Sequence, residues 1–186
     1  MPILGITASS KLGVTGAFES IATATGTGSS GTITFSSIPS TYQHLQIRIN
    51  ARCLNTGTAA NQVRIQFNSD TGSNYARHSL YGDGSTVTAA GNASQTSILC
   101  PLAITQNGTT ANIHSGLIMD IHDYISSTKN KTLRIFNGQD LNGSGHVNLN
   151  SGLWMSTNTI NSITIFLPSD NFTTSSTFAL YGIRGA

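Results

Sequence analysis

His44-Leu-Gln-Ile-Arg-Ile-Asn-Ala-Arg-Cys53 alternates apolar and polar residues without a break. Leu45, Ile47, Ile49, Ala51 and Cys53 share one face, and Gln46, Arg48, Asn50 and Arg52 the other, which is the two-residue period of a half-buried strand. Residues 62–67 repeat the scheme with Val63, Ile65 and Phe67 inward. Upstream, 21–25 runs through the turn Gly26-Thr-Gly-Ser-Ser-Gly31 into 32–35, and the three segments read as an opening hairpin. Further strands are predicted at 76–81, 85–90, 96–104, 113–123, 131–136, 147–155, 160–167 and 177–183. Asn107-Gly108, Asn137-Gly138 and Asn142-Gly143 supply residues that tolerate the positive φ of tight turns. No window carries a persuasive helical period. The expected fold is all-β, a single antiparallel β-sandwich of jelly-roll type over 18–186, preceded by an extended arm at 1–17.

Composition agrees with that fold. About a third of the chain is Ser, Thr or Asn, only 9% is charged, and Glu19 is the one glutamate. An average soluble domain carries about 25% charged residues. A surface this poor in charge is wetted by hydroxyls and amides, which favour strands and turns over helix interiors. With 38% hydrophobic residues the chain can still bury a core. The net charge of +2, with Arg48, Arg52, Arg64, Arg77 and Lys129/Lys131/Arg134 scattered, gives no basic tract for nucleic acid. No apolar run approaches the ~18 residues of a membrane span, and the N-terminus lacks the pattern of a signal peptide. Cys53 and Cys100 make no disulfide framework and are expected as two buried thiols rather than one bridge.

The arm is small and flexible in composition, with an apolar head at Ile3, Leu4 and Ile6. It has no core of its own, so these three residues are the expected anchor to another subunit.

Catalytic and metal patterns are weak. No G-x-S-x-G elbow occurs, and Asp120-Ile-His-Asp123 is the best acid–base cluster. On a strand Asp120 and His122 would share a face and Asp123 the other. His114 has the same parity, but a rise of ~3.3 Å per residue would set it some 20 Å from Asp120, too far for one zinc. Asn68-Ser-Asp-Thr-Gly72 resembles half of a calcium loop, yet lacks the acidic ligands, and reads more simply as a self-capping turn. Nothing calls for a cofactor, and the chain is not expected to be an enzyme. A weak signal for sugar or surface recognition lies at Asn74-Tyr75, His78 and Tyr81-Gly-Asp83, where rings stand beside amide and carboxylate groups. Trp154 is read as core. The N-x-[ST] triplets at Asn92, Asn107, Asn130, Asn142 and Asn171 are chance in so Asn- and Thr-rich a chain.

Several stretches resemble a family of small virion proteins of tailed bacteriophages, often labelled tail fibre or minor tail proteins. They are Met1-Pro-Ile-Leu-Gly-Ile-Thr-Ala-Ser-Ser10, Phe18-Glu-Ser-Ile-Ala-Thr23 and Ile33-Thr-Phe-Ser-Ser-Ile-Pro-Ser-Thr-Tyr-Gln-His-Leu-Gln-Ile-Arg48. Then follow Phe67-Asn-Ser-Asp-Thr-Gly-Ser-Asn-Tyr75 with His78, Tyr81-Gly-Asp-Gly84, and Asp123-Tyr124 ahead of Lys129-Asn-Lys-Thr132. Ser151-Gly-Leu-Trp154 and Phe178-Ala-Leu-Tyr-Gly-Ile183 complete the set. The one departure is Ser69, where relatives tend to have Gly. The resemblance implies a structural protein on the tail or capsid exterior, assembled in the host cytoplasm. It would join other virion proteins as a symmetric homo-oligomer, a trimer in the first instance, and touch a host surface glycan. A capsid decoration protein is the alternative, and a polysaccharide-degrading enzyme a more distant one. No catalytic residues come with the resemblance.

Overall fold

The computed structural model describes residues 16–57 and 60–185; the expected anchor Ile3, Leu4 and Ile6 lies outside them. The chain is all-β. Its strands are β1 (Phe18–Thr25), β2 (Thr32–Phe35), β3 (His44–Cys53), β4 (Ala60–Phe67), β5 (Tyr75–Gly82) and β6 (Val87–Gln95). They continue as β7 (Ile98–Gln106), β8 (Ser115–His122), β9 (Lys131–Asp140), β10 (Gly145–Trp154), β11 (Ile163–Phe166) and β12 (Thr177–Ile183).

Pairing sorts them into two layers. The large sheet runs β1-β12-β3-β8-β9-β10-β5-β6, antiparallel throughout. The small sheet runs β2-β11-β4-β7, also antiparallel. The layers join where the end of β3 leaves the large sheet, as Arg52 and Cys53 pair in parallel with Thr105 and Gln106 of β7. Between the layers one core holds Leu45, Ile47, Ile49, Val63, Ile65, Phe67, Ile98, Met119, Ile135, Trp154 and Phe178. The sandwich-like all-β fold is thus the one the alternation predicts.

The structure corrects local readings at four places. The opening hairpin does not form: β1 pairs with β12 at one edge of the large sheet, while β2 pairs with β11 in the other layer. At this turn Gly26 packs against the segment before β12: a Cβ there would collide with Thr173 O, and its N–H donates to Ser176 O at 3.0 Å. The strand expected at 160–167 shrinks to β11, and the one at 85–90 shifts to β6.

Arg52 is the fourth. Sequence alternation puts it outward with Arg48, yet it is only 5% exposed. It sits where β3 changes layers, so its side chain points at the loop after β7. There Nε donates to Asn107 Oδ1 at 3.2 Å, Nη1 to the carbonyls of Thr110 (2.9 Å) and Ile113 (2.7 Å), and Nη2 to those of Asn107 (3.0 Å) and Thr109 (3.1 Å). A planar fork with five N–H donors can gather one loop in this way, and a lysine could not.

Cys53 and Cys100 are separate buried thiols, and burial first pushes each up to about 12.

Candidate functional site

The residues expected to recognise a surface do not form one site. Tyr75 is 1% exposed, and its hydroxyl donates to Asp70 O (3.0 Å) and accepts from Phe67 N–H (3.1 Å). Its ring stacks with that of Trp154, centroids 6.3 Å apart, and both lie beside Phe67. Tyr75 is therefore core, because β5 enters the sandwich at this residue. Asn74 is exposed but donates to Asp70 Oδ2 at 2.9 Å. Asp70 also accepts from Trp154 Nε1 (2.7 Å) and Gly72 N–H (2.8 Å), and these donors hold its carboxyl below the ordinary range. The calcium-like loop is thus a self-capped turn, with Asn68 and Ser69 at φ 51° and 56°. Ser69 stands at a left-handed backbone position that favours glycine.

At the far end of β5, Asp83 caps its own turn. The backbone N–H groups of Thr86 (2.7 Å) and Ser85 (2.9 Å) hold its carboxyl at about 2. Tyr81 and His78 lie between these ends on opposite faces of the sheet, as residues of unlike parity must. His78 alone stands on the outward face, its ring so close to Gly91 that a Cβ there would lie 2.7 Å from it.

The acid–base candidates are likewise spoken for. Asp120 accepts from Gln46 Nε2 (2.8 Å) and pairs with Arg134 (3.4 Å). Asp123 accepts from Lys129 Nζ (2.6 Å) and Gln43 Nε2 (3.0 Å), which hold it at about 2, while its N–H donates to His44 Nδ1 (2.9 Å). His122 meets the His44 ring edge-on at 5.6 Å. His114 contacts Ser175 Oγ at 2.8 Å, in a different part of the sheet rim. Among the described residues no three of His, Cys, Asp or Glu group as a metal ion would require, and no helix is long and apolar enough to cross a membrane.

What the strands do assemble is a face. Register places Ala89 beside Leu80, Leu80 beside Leu149, Leu149 beside Phe136 and Phe136 beside Ile118, a row across five strands. The next row carries Val87 and Val147 with Gly82, Gly138 and Gly116 between and beyond them. Phe136 is 55% exposed and Leu149 47%. Over these strands neither row contains a charged residue; beyond Ile118 the first row continues to Arg48 of β3. A shallow groove of about 500 Å³ crosses it between His78, Leu80, Ala89, Gly91 and Leu149. The polar row below holds His78, Ser151, Arg134, Asp120 and Gln46. At the opposite edge Phe18 and Tyr181 stack at 4.7 Å, and the Arg48 guanidinium lies over both rings, at 5.3 and 5.5 Å.

The same strands bury polar groups on their inner side. β4 and β7 lose step between Asn61↔Ile104 and Val63↔Cys100, and the extra residues of β7 include Pro101 and Leu102, the latter at φ 48°. Pro101 suits a bulge because it has no N–H to give a ladder. The bulge turns two carbonyls toward the large sheet. Asn148 Nδ2 donates to Pro101 O (2.9 Å) and Leu102 O (3.3 Å), and Asn137 Nδ2 to Leu102 O (3.2 Å). Farther along β9, Lys131 is fully buried and donates from Nζ to the carbonyls of Ser126 (2.5 Å), Lys129 (2.8 Å) and Thr157 (3.0 Å). Sequence reasoning saw neither device, since each depends on a carbonyl that only the fold presents. The outward row was within reach of it: Val147 and Leu149 alternate with Asn148 and Asn150, and only the sign of the alternation was hidden. Compared with protein-family models, curated proteins and solved structures, the chain matches none.

Proposed function

We propose that this chain is a structural protein of a tailed-bacteriophage virion, a tail-fibre or tail-tip module that contributes to host-surface attachment. The observation that carries the reading is the uncharged outward row Ala89, Leu80, Leu149, Phe136 and Ile118. Contiguous apolar surface on a soluble subunit marks a place that another molecule covers. On a chain that resembles virion proteins nearly end to end, that molecule is another virion protein or a further copy of this one. The stacked Phe18–Tyr181 pair, with the Arg48 guanidinium over both rings, and the polar loops are left to meet a host glycan through ring faces and amide hydrogen bonds. The same apolar face would equally seat a decoration protein on a capsid shell, so the two readings differ in location and not in chemistry. The carboxylates of the sheet rim are occupied by Arg134, Lys129 and backbone donors, which argues for scaffolding over hydrolysis.

Imaging intact particles at side-chain resolution tests the reading. A few copies at the tail or its tip, with the Phe136 row against a neighbour, is the expected result. Copies spread across the capsid lattice would support decoration instead, and absence from particles would sink both.

A further inference from the structure

Sheet edges are hazards, because a free row of N–H and C=O groups templates another strand. Three of the edges in this molecule are blunted. β1 is interrupted by a bulge between Ser20 and Ala22 and carries Glu19, tied to Tyr42 (2.8 Å) and Arg184 (3.4 Å). β2 is four residues long. β7 is kinked by the Pro101–Leu102 bulge and joined to β3 at its end. The fourth edge is β6, which among the described residues pairs only with β5. Its nine residues, Val-Thr-Ala-Ala-Gly-Asn-Ala-Ser-Gln, include no charge and no proline, and most are exposed whichever face they occupy. From Val87 to Asn92 the strand stays in unbroken register with β5, and its bulge, at Ser94 with φ 55°, comes only afterwards. In an antiparallel ladder every second residue then directs its N–H and C=O away from β5.

We propose that β6 pairs antiparallel with β6 of a second copy of this chain, about a two-fold axis. The argument for a second copy is complementarity. In a two-fold antiparallel contact each residue of the strand meets another residue of the same strand, so a strand bearing one sign of charge would repel its copy, and β6 bears none. Pairing also sets the two uncharged outward rows side by side, Val87 and Ala89 of one copy next to those of the other, and doubles the width of the apolar face. The inference goes beyond the proposed function and holds whatever that face meets. A single strand pair buries less than the ~800 Å² per partner of a standard interface, so the association is weak in free protein and strong where copies are concentrated.

The test uses the full chain. At about 0.1 mM, sedimentation should give an even multiple of the chain mass. In the Val87→Lys/Ala89→Lys variant that mass should fall two-fold, because both side chains point outward and their ammonium groups would meet their symmetry mates. A monomeric or trimeric parent, or a variant of unchanged mass, overturns the pairing. Hydrogen exchange of the parent gives an answer that does not depend on the variant folding. Amides in 87–92 should gain protection as concentration rises. Protection that is already complete in dilute monomer would put another segment of the same chain on the edge and overturn it as well.

Discussion

Two faces of the same pair of strands invert the usual arrangement. Inward from β9 and β10 stand Lys131, Asn137, Asn148 and Asn150, all buried; outward stand Phe136, Val147 and Leu149, all exposed. Leu133 and Ile135 keep β9 anchored in the core, so the strand is not misregistered, and a one-residue slip would expel them. The difference teaches that position here is set by partners rather than by hydropathy. Asn137 and Asn148 answer the carbonyls that the β7 bulge offers, and Asn150 donates to Cys100 Sγ and Asn137 Oδ1. On the proposed function, the outer apolar residues Phe136, Val147 and Leu149 are there to be covered by another chain.

The largest break in this comparison is at Lys131. Replacing it by Met keeps the length and the apolar stem but leaves the Ser126, Lys129 and Thr157 carbonyls without their donor. Buried acceptors left unpaired are costly, so Lys131→Met should destabilise by about 3 kcal/mol, read by urea unfolding. A neutral result would mean that the buried ammonium contributes nothing that packing cannot replace.

Asn148 comes next. Asn148→Leu makes the interior more apolar and on hydropathy alone should stabilise. The carbonyl of Pro101 would then lose its donor, although Leu102 O keeps Asn137, and the unpaired Oδ1 of Asn148 would be removed. The balance favours a loss of about 1–2 kcal/mol. A gain in stability would show that the bulge carbonyls reach water or relax, and the account of the inner face would fail.

These two sites mark where the sequence was legible and where it was not. Alternation in β3 and β4 named the core residues Leu45, Ile47, Ile49, Val63, Ile65 and Phe67 correctly, because their faces are buried by apolar neighbours alone. It failed at Arg52, where the strand changes layers, and at the first hairpin, where the turn serves a crossing between sheets. Both failures are non-local: the loop carbonyls that bury Arg52 and the β12 strand that claims β1 are distant in sequence. Tyr75, expected at the surface, is core for a related reason. Tyr75 opens β5 and enters the core there, whereas Asp83 lies past the end of β5 in a turn that it caps.

The smallest effect on stability should come from the outward face, and it is the most informative. Phe136 and Leu149 are directly opposed, each roughly half exposed, and neither contributes to the core between the layers. Changing both to Thr keeps strand propensity while removing the apolar row. Surface changes of this kind stay within about 0.5 kcal/mol of the parent. If the face is covered in an assembly, the Phe136→Thr/Leu149→Thr chain should melt as the parent does and yet fail to join particles. A variant that unfolds would make these residues part of the fold. One that folds and still assembles would leave the inverted polarity of β9 and β10 without a cause outside the chain.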